Sequence, residues 1–142
     1  VLADEGATGG QEITFSQDDL RAVQLAKAAI RSATDLLLKH TGYTERELGQ
    51  IIIAGAFGSY IDVDSALAIG LLPNLPYNRF AQVGNAAGDG ARFALLSEKQ
   101  REVAKDIARR SNYIELANDK GFMKVFGSRI NFEKQRAIKS VA

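Results

Sequence analysis

The stretch IIIAGAFGSYID, residues 51–62, decides how the rest of this chain is read. Three consecutive isoleucines are β-branched and apolar throughout, which predicts a strand buried on both faces, as in the middle of a parallel sheet. Gly55 and Gly58 follow at once, and glycine permits backbone conformations and close approaches that a Cβ forbids. In an open α/β sheet, ligands gather outside the carboxyl ends of strands, so a glycine loop at a strand exit stands where a site is expected. Taken as composition alone, Gly55-Ala56-Phe57-Gly58 fits a ligand loop and an ordinary strand exit equally well.

Outward from that stretch the chain alternates helices with short apolar segments, the pattern of an α/β domain. Ser16 with Asp19 marks a helix start. Leu20, Val23, Ala26, Ile30, Ala33 and Leu37 then follow helical spacing as far as His40. His40 precedes Thr41-Gly42, where a cation complements the carboxyl end of a helix that glycine terminates. Thr44 with Glu47 forms a capping box for a short helix, and Asp62 caps another over Val63 to Gly70. RFAQVGN, residues 79–85, predicts a second buried strand, and AAGDGARFALL, residues 86–96, a helix rich in small residues. Ser97 with Gln100 reads as a second capping box that starts a helix over EKQREVAKDIARR, NYIELA at 112–117 reads as a last strand, and DKGFMKVF at 119–126 as a helix. Val1–Ala3 and Glu12–Phe15 read as two strands of an opening hairpin, which makes the sheet mixed. No internal repeat or linker divides the chain, so residues 1–142 are read as a single lobe.

Composition narrows the chemistry. The chain has 142 residues, 46% hydrophobic and 25% charged, with a formal net charge of +1, which is the profile of a globular domain without a general pull toward nucleic acid. It has no cysteine, which excludes disulfides, thiolate metal sites and iron–sulfur ligation within this chain. One histidine argues against a histidine-based metal site or a serine–histidine triad, so no metal-ligating or catalytic residue is assigned. No window reaches the roughly 18 apolar residues of a membrane span and no secretory signal opens the chain, so the cytoplasm is the expected compartment and no membrane partner is expected. A start at Val1 rather than methionine suggests a piece of a longer protein. Lysines and arginines concentrate from Lys120 onward, through Lys124, Arg129, Lys134, Arg136 and Lys139, and predict a solvated terminal helix or, second, a docking surface.

Two further groups join the glycine loop as candidate binding elements. Gly84, Ala86, Ala87, Gly88, Gly90 and Ala91 crowd a strand exit and helix start, where close helix packing and ligand approach compete as explanations; Asn85 places an amide there that can bond a loop, a ligand or a neighbouring lobe. Lys27 and Arg31 lie one turn apart on the first helix, either flanking the ribose and base of a nucleotide or running their stems along an apolar stripe to water. Neither a P-loop nor a dinucleotide fingerprint occurs. The D-x-G-[ST] hairpin that positions metal and phosphates in actin-like ATPases is also absent from the sequence.

The order of ITFSQDDLRAVQLAKAAIRSATDLLL, IIIAGAFGSYIDVDSALAIGLLPNLP, FAQVGNAAGDGARFALLS and YIELA resembles the carboxyl-terminal part of the reductive activators of corrinoid proteins. These are iron–sulfur proteins of anaerobic methyl-transfer metabolism with an ATPase domain of the actin, sugar-kinase and heat-shock superfamily. The resemblance implies a ribonuclease-H-like, actin-like ATPase lobe, with a mixed sheet and helices packed on it. It implies that Gly55, Ala56, Phe57 and Gly58 form the adenosine loop, that Lys27 and Arg31 flank the nucleotide, and that Gly84 and Asn85 belong to a connecting motif at the lobe interface. ATP or ADP with magnesium, and a [2Fe–2S] cluster, are implied for the parent protein, the cluster lying outside this chain. The implied partner is a corrinoid protein whose cob(II)alamin is re-reduced to cob(I)alamin, and the isolated lobe is expected to catalyse nothing. The competing expectation is a non-catalytic ribonuclease-H-like interaction module whose glycines serve packing.

Overall fold

Helix-forming segments in this chain begin and end on local hydrogen bonds. In the computed structural model, which describes residues 9–10 and 12–132, the first helix, α1, runs Gln17–Thr41. Ser16 accepts the Asp19 amide at 3.2 Å while Asp19 accepts the Ser16 amide at 2.8 Å, so two amides left over by the first turn are satisfied reciprocally. At the other end Gly42 adopts φ 76°, its amide bonds Lys39 and the Tyr43 amide bonds the Leu38 carbonyl at 3.1 Å, a Schellman ending that a Cβ would disfavour.

A capping box at Thr44 and Glu47 opens a single 3-10 turn, Glu45–Glu47, which leads into β1, Ile51–Ile53. Two short helices follow, α2 (Ala56–Tyr60) and α3 (Val63–Ala68). The Asp62 carboxylate accepts the Ser65 amide at 2.7 Å to start α3, and a second Schellman ending closes it at Gly70. A 3-10 turn at Tyr77–Arg79 delivers β2, Phe80–Gln82. Then come α4 (Ala86–Leu96), α5 (Glu98–Arg110), a 3-10 turn at Leu116–Asn118, and α6 (Phe122–Arg129).

β1 and β2 pair in parallel, with Ile51 opposite Phe80 and Ile53 opposite Gln82, so both chains leave the sheet at the same end. The apolar core lies beside this pair: Val63, Ala66, Leu71 and Leu72 are buried together, and Ile53, Ile61 and Phe80 pack onto them. A second packing unit joins α6 to α1, where Leu36 is buried to 1% exposure. α4 and α5 follow one another with only Ser97 between them and contact each other.

Several sequence expectations are corrected here. β1 is not covered on both faces by the described residues, since Ile52 is 62% exposed. On α1 the apolar stripe is not the buried one: Val23, Ile30 and Leu37 are exposed, and the buried rows are Lys27–Arg31 and Ala28–Ser32–Leu36. Helical spacing identifies the helix, but which face is covered depends on what packs there. NYIELA has no regular secondary structure from Asn112 to Glu115 and then turns at Leu116–Asn118, with no strand partner among the described residues. Within Glu12–Phe15 only Ile13 makes a β-bridge, and Val1–Ala3 lies outside the described residues, as do Lys134, Arg136 and Lys139. In the described part of the basic segment Lys120 and Lys124 are exposed, whereas Arg129 of α6 is docked, bonding Asp35 of α1 at 2.8 Å.

Candidate functional site

Parallel pairing places the two glycine corners side by side. The Val83 amide continues the ladder to the Ile53 carbonyl at 2.8 Å, and the Gly55 amide reaches the Gly84 carbonyl at 2.8 Å. Gly55 takes φ 75°, a left-handed conformation that L side chains rarely adopt, and the turn it makes feeds α2. A Cβ added at Gly55 would meet no atom within 4 Å, and one added at Gly84 would meet only the Ser59 hydroxyl, at 3.5 Å. Ala54, Gly55, Ala56, Gly84 and Asn85 are exposed. The corner is therefore an open, small-residue surface at the carboxyl end of the sheet.

Gly58 differs from its neighbours. It is buried, and a Cβ there would run into the backbone carbonyls of both Ile53 and Val83. Its missing side chain lets α2 lie directly on the two strands, so its demand for glycine arises from packing. Asn85 is also occupied within the chain: it caps α4, its Oδ1 accepting the Gly88 amide at 2.9 Å. Phe57 falls inside α2.

Lys27 and Arg31 are placed by α1 in a single row with Asp35, each one turn from the next, and only 2% and 6% of the two cations is exposed. Lys27 Nζ donates to the carbonyls of Arg129 at 2.6 Å and Asn131 at 2.7 Å, and lies 5.7 Å from the centre of the Phe132 ring. It thus neutralises the carboxyl end of α6, where carbonyls lack helical partners and the helix dipole is negative. Arg31 pairs with Asp35 at 3.2 Å and with Glu45 on the turn before β1. The structure therefore brings Gly55, Ala56, Gly84 and Asn85 together at the strand exits, and directs Lys27 and Arg31 toward α6 and the 45–47 turn.

Sequence reasoning overlooked the partners of these cations. Asp35 completes the i, i+4 row that begins at Lys27 and was visible as the counter-charge to Arg31. Glu45 and Arg129 are distant in sequence and gave no local signal. Arg79, at the entry to β2, was missed as well: its Nη1 donates to the carbonyls of Arg46 at 2.9 Å and Leu48 at 2.8 Å, fastening the starts of both strands together.

The titration of four carboxylates follows from the same local bonding. Asp19 and Glu47 are held below their usual range chiefly by the amides of Ser16 and Thr44, and next by the hydroxyls of those residues. Asp62 is lowered by the Ser65 side chain and amide. Asp119 is lowered first by the Gly121 amide, at 2.6 Å, and then by the His40 ring, whose Nε2 lies 2.7 Å away. These are structural carboxylates at turns. Among the described residues no group of three or more histidine, aspartate or glutamate side chains is arranged to hold a metal, and no helix is long and apolar enough to cross a membrane.

A family model described as the C-terminal domain of RACo, the ASKHA domain, matches residues 1–141. The corrinoid activation enzyme RamQ of Eubacterium limosum is 44% identical over 117 residues, which cover 82% of this chain and 20% of that protein. A solved structure of a reductive activator for corrinoid, iron-sulfur protein superposes with a TM-score of 0.75 at 38% identity, over 82% of this chain and 18% of that one. The matched region thus amounts to about a fifth of each relative's length.

Proposed function

The chain belongs to the family of the C-terminal ASKHA domain of RACo, and from that premise we propose that it is the adenosine-binding lobe of an ATP-dependent reductive activator of a corrinoid protein. The observation that carries the reading is the Gly55 amide on the Gly84 carbonyl, which sets two side-chain-free corners next to each other at the strand exits. A flat base and ribose need such an approach to backbone, and ligands of open α/β sheets lie at this end. The space open at Gly55 and Gly84 supports placing the nucleotide against those two residues, with Ala56 and Asn85 beside them, while Gly58 supports the loop from beneath.

In this reading the lobe has the ribonuclease-H-like architecture of its superfamily and acts within a longer parent. ATP would supply binding and hydrolysis energy to the parent; this chain's residues would hold the adenosine end. In this reading magnesium, the phosphates and a [2Fe–2S] cluster would be held by other parts of the parent; this chain has no cysteine to ligate such a cluster. A corrinoid protein is the partner that the names of the relatives support.

Titration of the chain with ADP, followed by backbone amide shifts, tests the proposal. Shifts concentrated at Gly55, Ala56, Gly84 and Asn85, with ADP and ATP binding about equally, are expected. No shift at millimolar ADP, or shifts confined elsewhere, would return the glycine corners to packing and favour the interaction module.

A further inference from the structure

We propose that the partly buried charge network of Arg31, Asp35, Glu45 and Arg129, with Lys27 at its end, positions the glycine loop after β1. Lys27 and Arg31 are then positioning residues that act on the site through the backbone. The inference deepens the nucleotide-binding proposal and rests on it for the identity of the ligand.

The row Lys27, Arg31, Asp35 on α1 grips two elements at once. On one side Asp35 accepts Arg129 Nε at 2.8 Å and Lys27 binds the end of α6. On the other, Arg31 binds Glu45. The 45–47 turn that carries Glu45 is separated from β1 by Leu48 to Gln50 only, and the same turn receives Arg79 from the entry to β2. Both strands therefore start from a joint that Arg31 and Arg79 hold.

Among the described residues the strands are three residues each and pair as a two-stranded sheet. So short a ladder supplies few hydrogen bonds, and its placement depends on how its ends are fixed. Beyond β1 the chain reaches Gly55 within two residues, and Gly58 presses α2 onto the carbonyls of Ile53 and Val83. A shift of the 45–47 turn is thus passed along β1 to the glycine corner with little slack. A guanidinium between two carboxylates suits such a joint, because its planar fork favours a fixed direction as well as distance, and the burial of Arg31 strengthens its two ion pairs.

The test uses Glu45→Gln, which keeps the side chain's shape while removing its charge, and Arg79→Lys, which cuts the other arm of the joint. Each is compared with the unmodified chain by amide hydrogen exchange and by ADP affinity, below the unfolding transition. Faster exchange over residues 51–60, with the ADP dissociation constant raised about fivefold, is expected for both variants, within the range of coupling through packed networks. Exchange changes confined to α1, α6 and the 45–47 turn, with residues 51–60 unaltered, would overturn the inference. So would Lys27→Ala weakening ADP binding while Glu45→Gln and Arg79→Lys leave affinity and exchange unchanged, since that pattern marks direct contact with the nucleotide. If ADP fails to bind the unmodified chain but residues 51–60 still respond to Glu45→Gln, the positioning role stands and the nucleotide reading falls.

Discussion

Lys27 donates through Nζ to the carbonyl oxygen of Arg129 at 2.6 Å, joining residues 102 positions apart. A lysine in the middle of α1 thereby closes the carboxyl end of α6. Replacing it with methionine keeps the stem and removes the donor, leaving two carbonyls and a helix terminus without their cation. Hydrogen bonds from charged groups contribute about 1.5 to 3 kcal/mol, so Lys27→Met is expected to lower stability by roughly 2 kcal/mol in urea unfolding. Lys99→Ala, on the exposed face of α5, is expected to stay within about 0.5 kcal/mol. Equal midpoints for the two variants would show that Lys27 contributes nothing at α6.

Gly58→Ala tests the packing of α2 on the sheet. The added methyl meets two backbone carbonyls, which cannot rotate away as a flexible side chain would. Overpacking of this kind costs about 1 to 3 kcal/mol. Gly90→Ala, in α4 with open space around the new methyl, is the converse case and is expected to stabilise by about 0.5 to 1 kcal/mol. Unfolding midpoints that move in the same direction for both would contradict the contact assigned to Gly58.

Gly84 allows binding to be separated from folding. Its Cβ would make ordinary contact with Ser59, and its φ is not in the left-handed region, so Gly84→Ala is expected to fold normally. If the base or ribose lies against this backbone, the methyl displaces it, and the ADP dissociation constant is expected to rise about tenfold, equivalent to about 1.4 kcal/mol. Gly55→Ala differs, since φ 75° adds a conformational cost of roughly 1 to 2 kcal/mol before any ligand is considered. Unaltered ADP affinity in a folded Gly84→Ala protein would remove that corner from the site.

The four lowered carboxylates set an acid limit. Each has a folded pKa below its unfolded value, so its contribution is complete above the unfolded value, about 3.9 for aspartate and 4.3 for glutamate, and is lost as pH falls through the folded value. Urea midpoints measured from pH 6 downward are expected to be steady in this respect until about pH 4 and to fall below it. Asp119→Asn is expected to make that fall shallower, because Asp119 holds both the Gly121 amide and His40. An unchanged slope in this variant would mean that the pair does not contribute to stability.

Much of the local structure was legible because its causes are local. Ser16 with Asp19, Gly42, Thr44 with Glu47, Asp62, and Ser97 with Gln100 mark helix boundaries through bonds that span three or four residues. The NYIELA segment was not legible in the same way. A short apolar run has no strand identity until another strand pairs with it, and here Leu116–Asn118 turns instead. The glycine corner was half legible: Gly55 and Gly84 showed as small residues at strand exits, but only parallel pairing brought the amide of one to the carbonyl of the other.

The sequence by itself determined where helices begin and end and which residues leave the backbone bare, because caps and turns are settled by neighbours a few positions away. Tertiary structure decided what those features touch. It turned the polar row of Lys27, Arg31 and Asp35 inward and left the stripe of Val23, Ile30 and Leu37 exposed, and it made Gly58 a packing residue beside the open Gly55. The physical reason is that burial of a charge is favourable only where a distant partner compensates its desolvation, and the partners here, the carbonyl of Arg129 and the carboxylate of Glu45, are supplied by other elements of the fold.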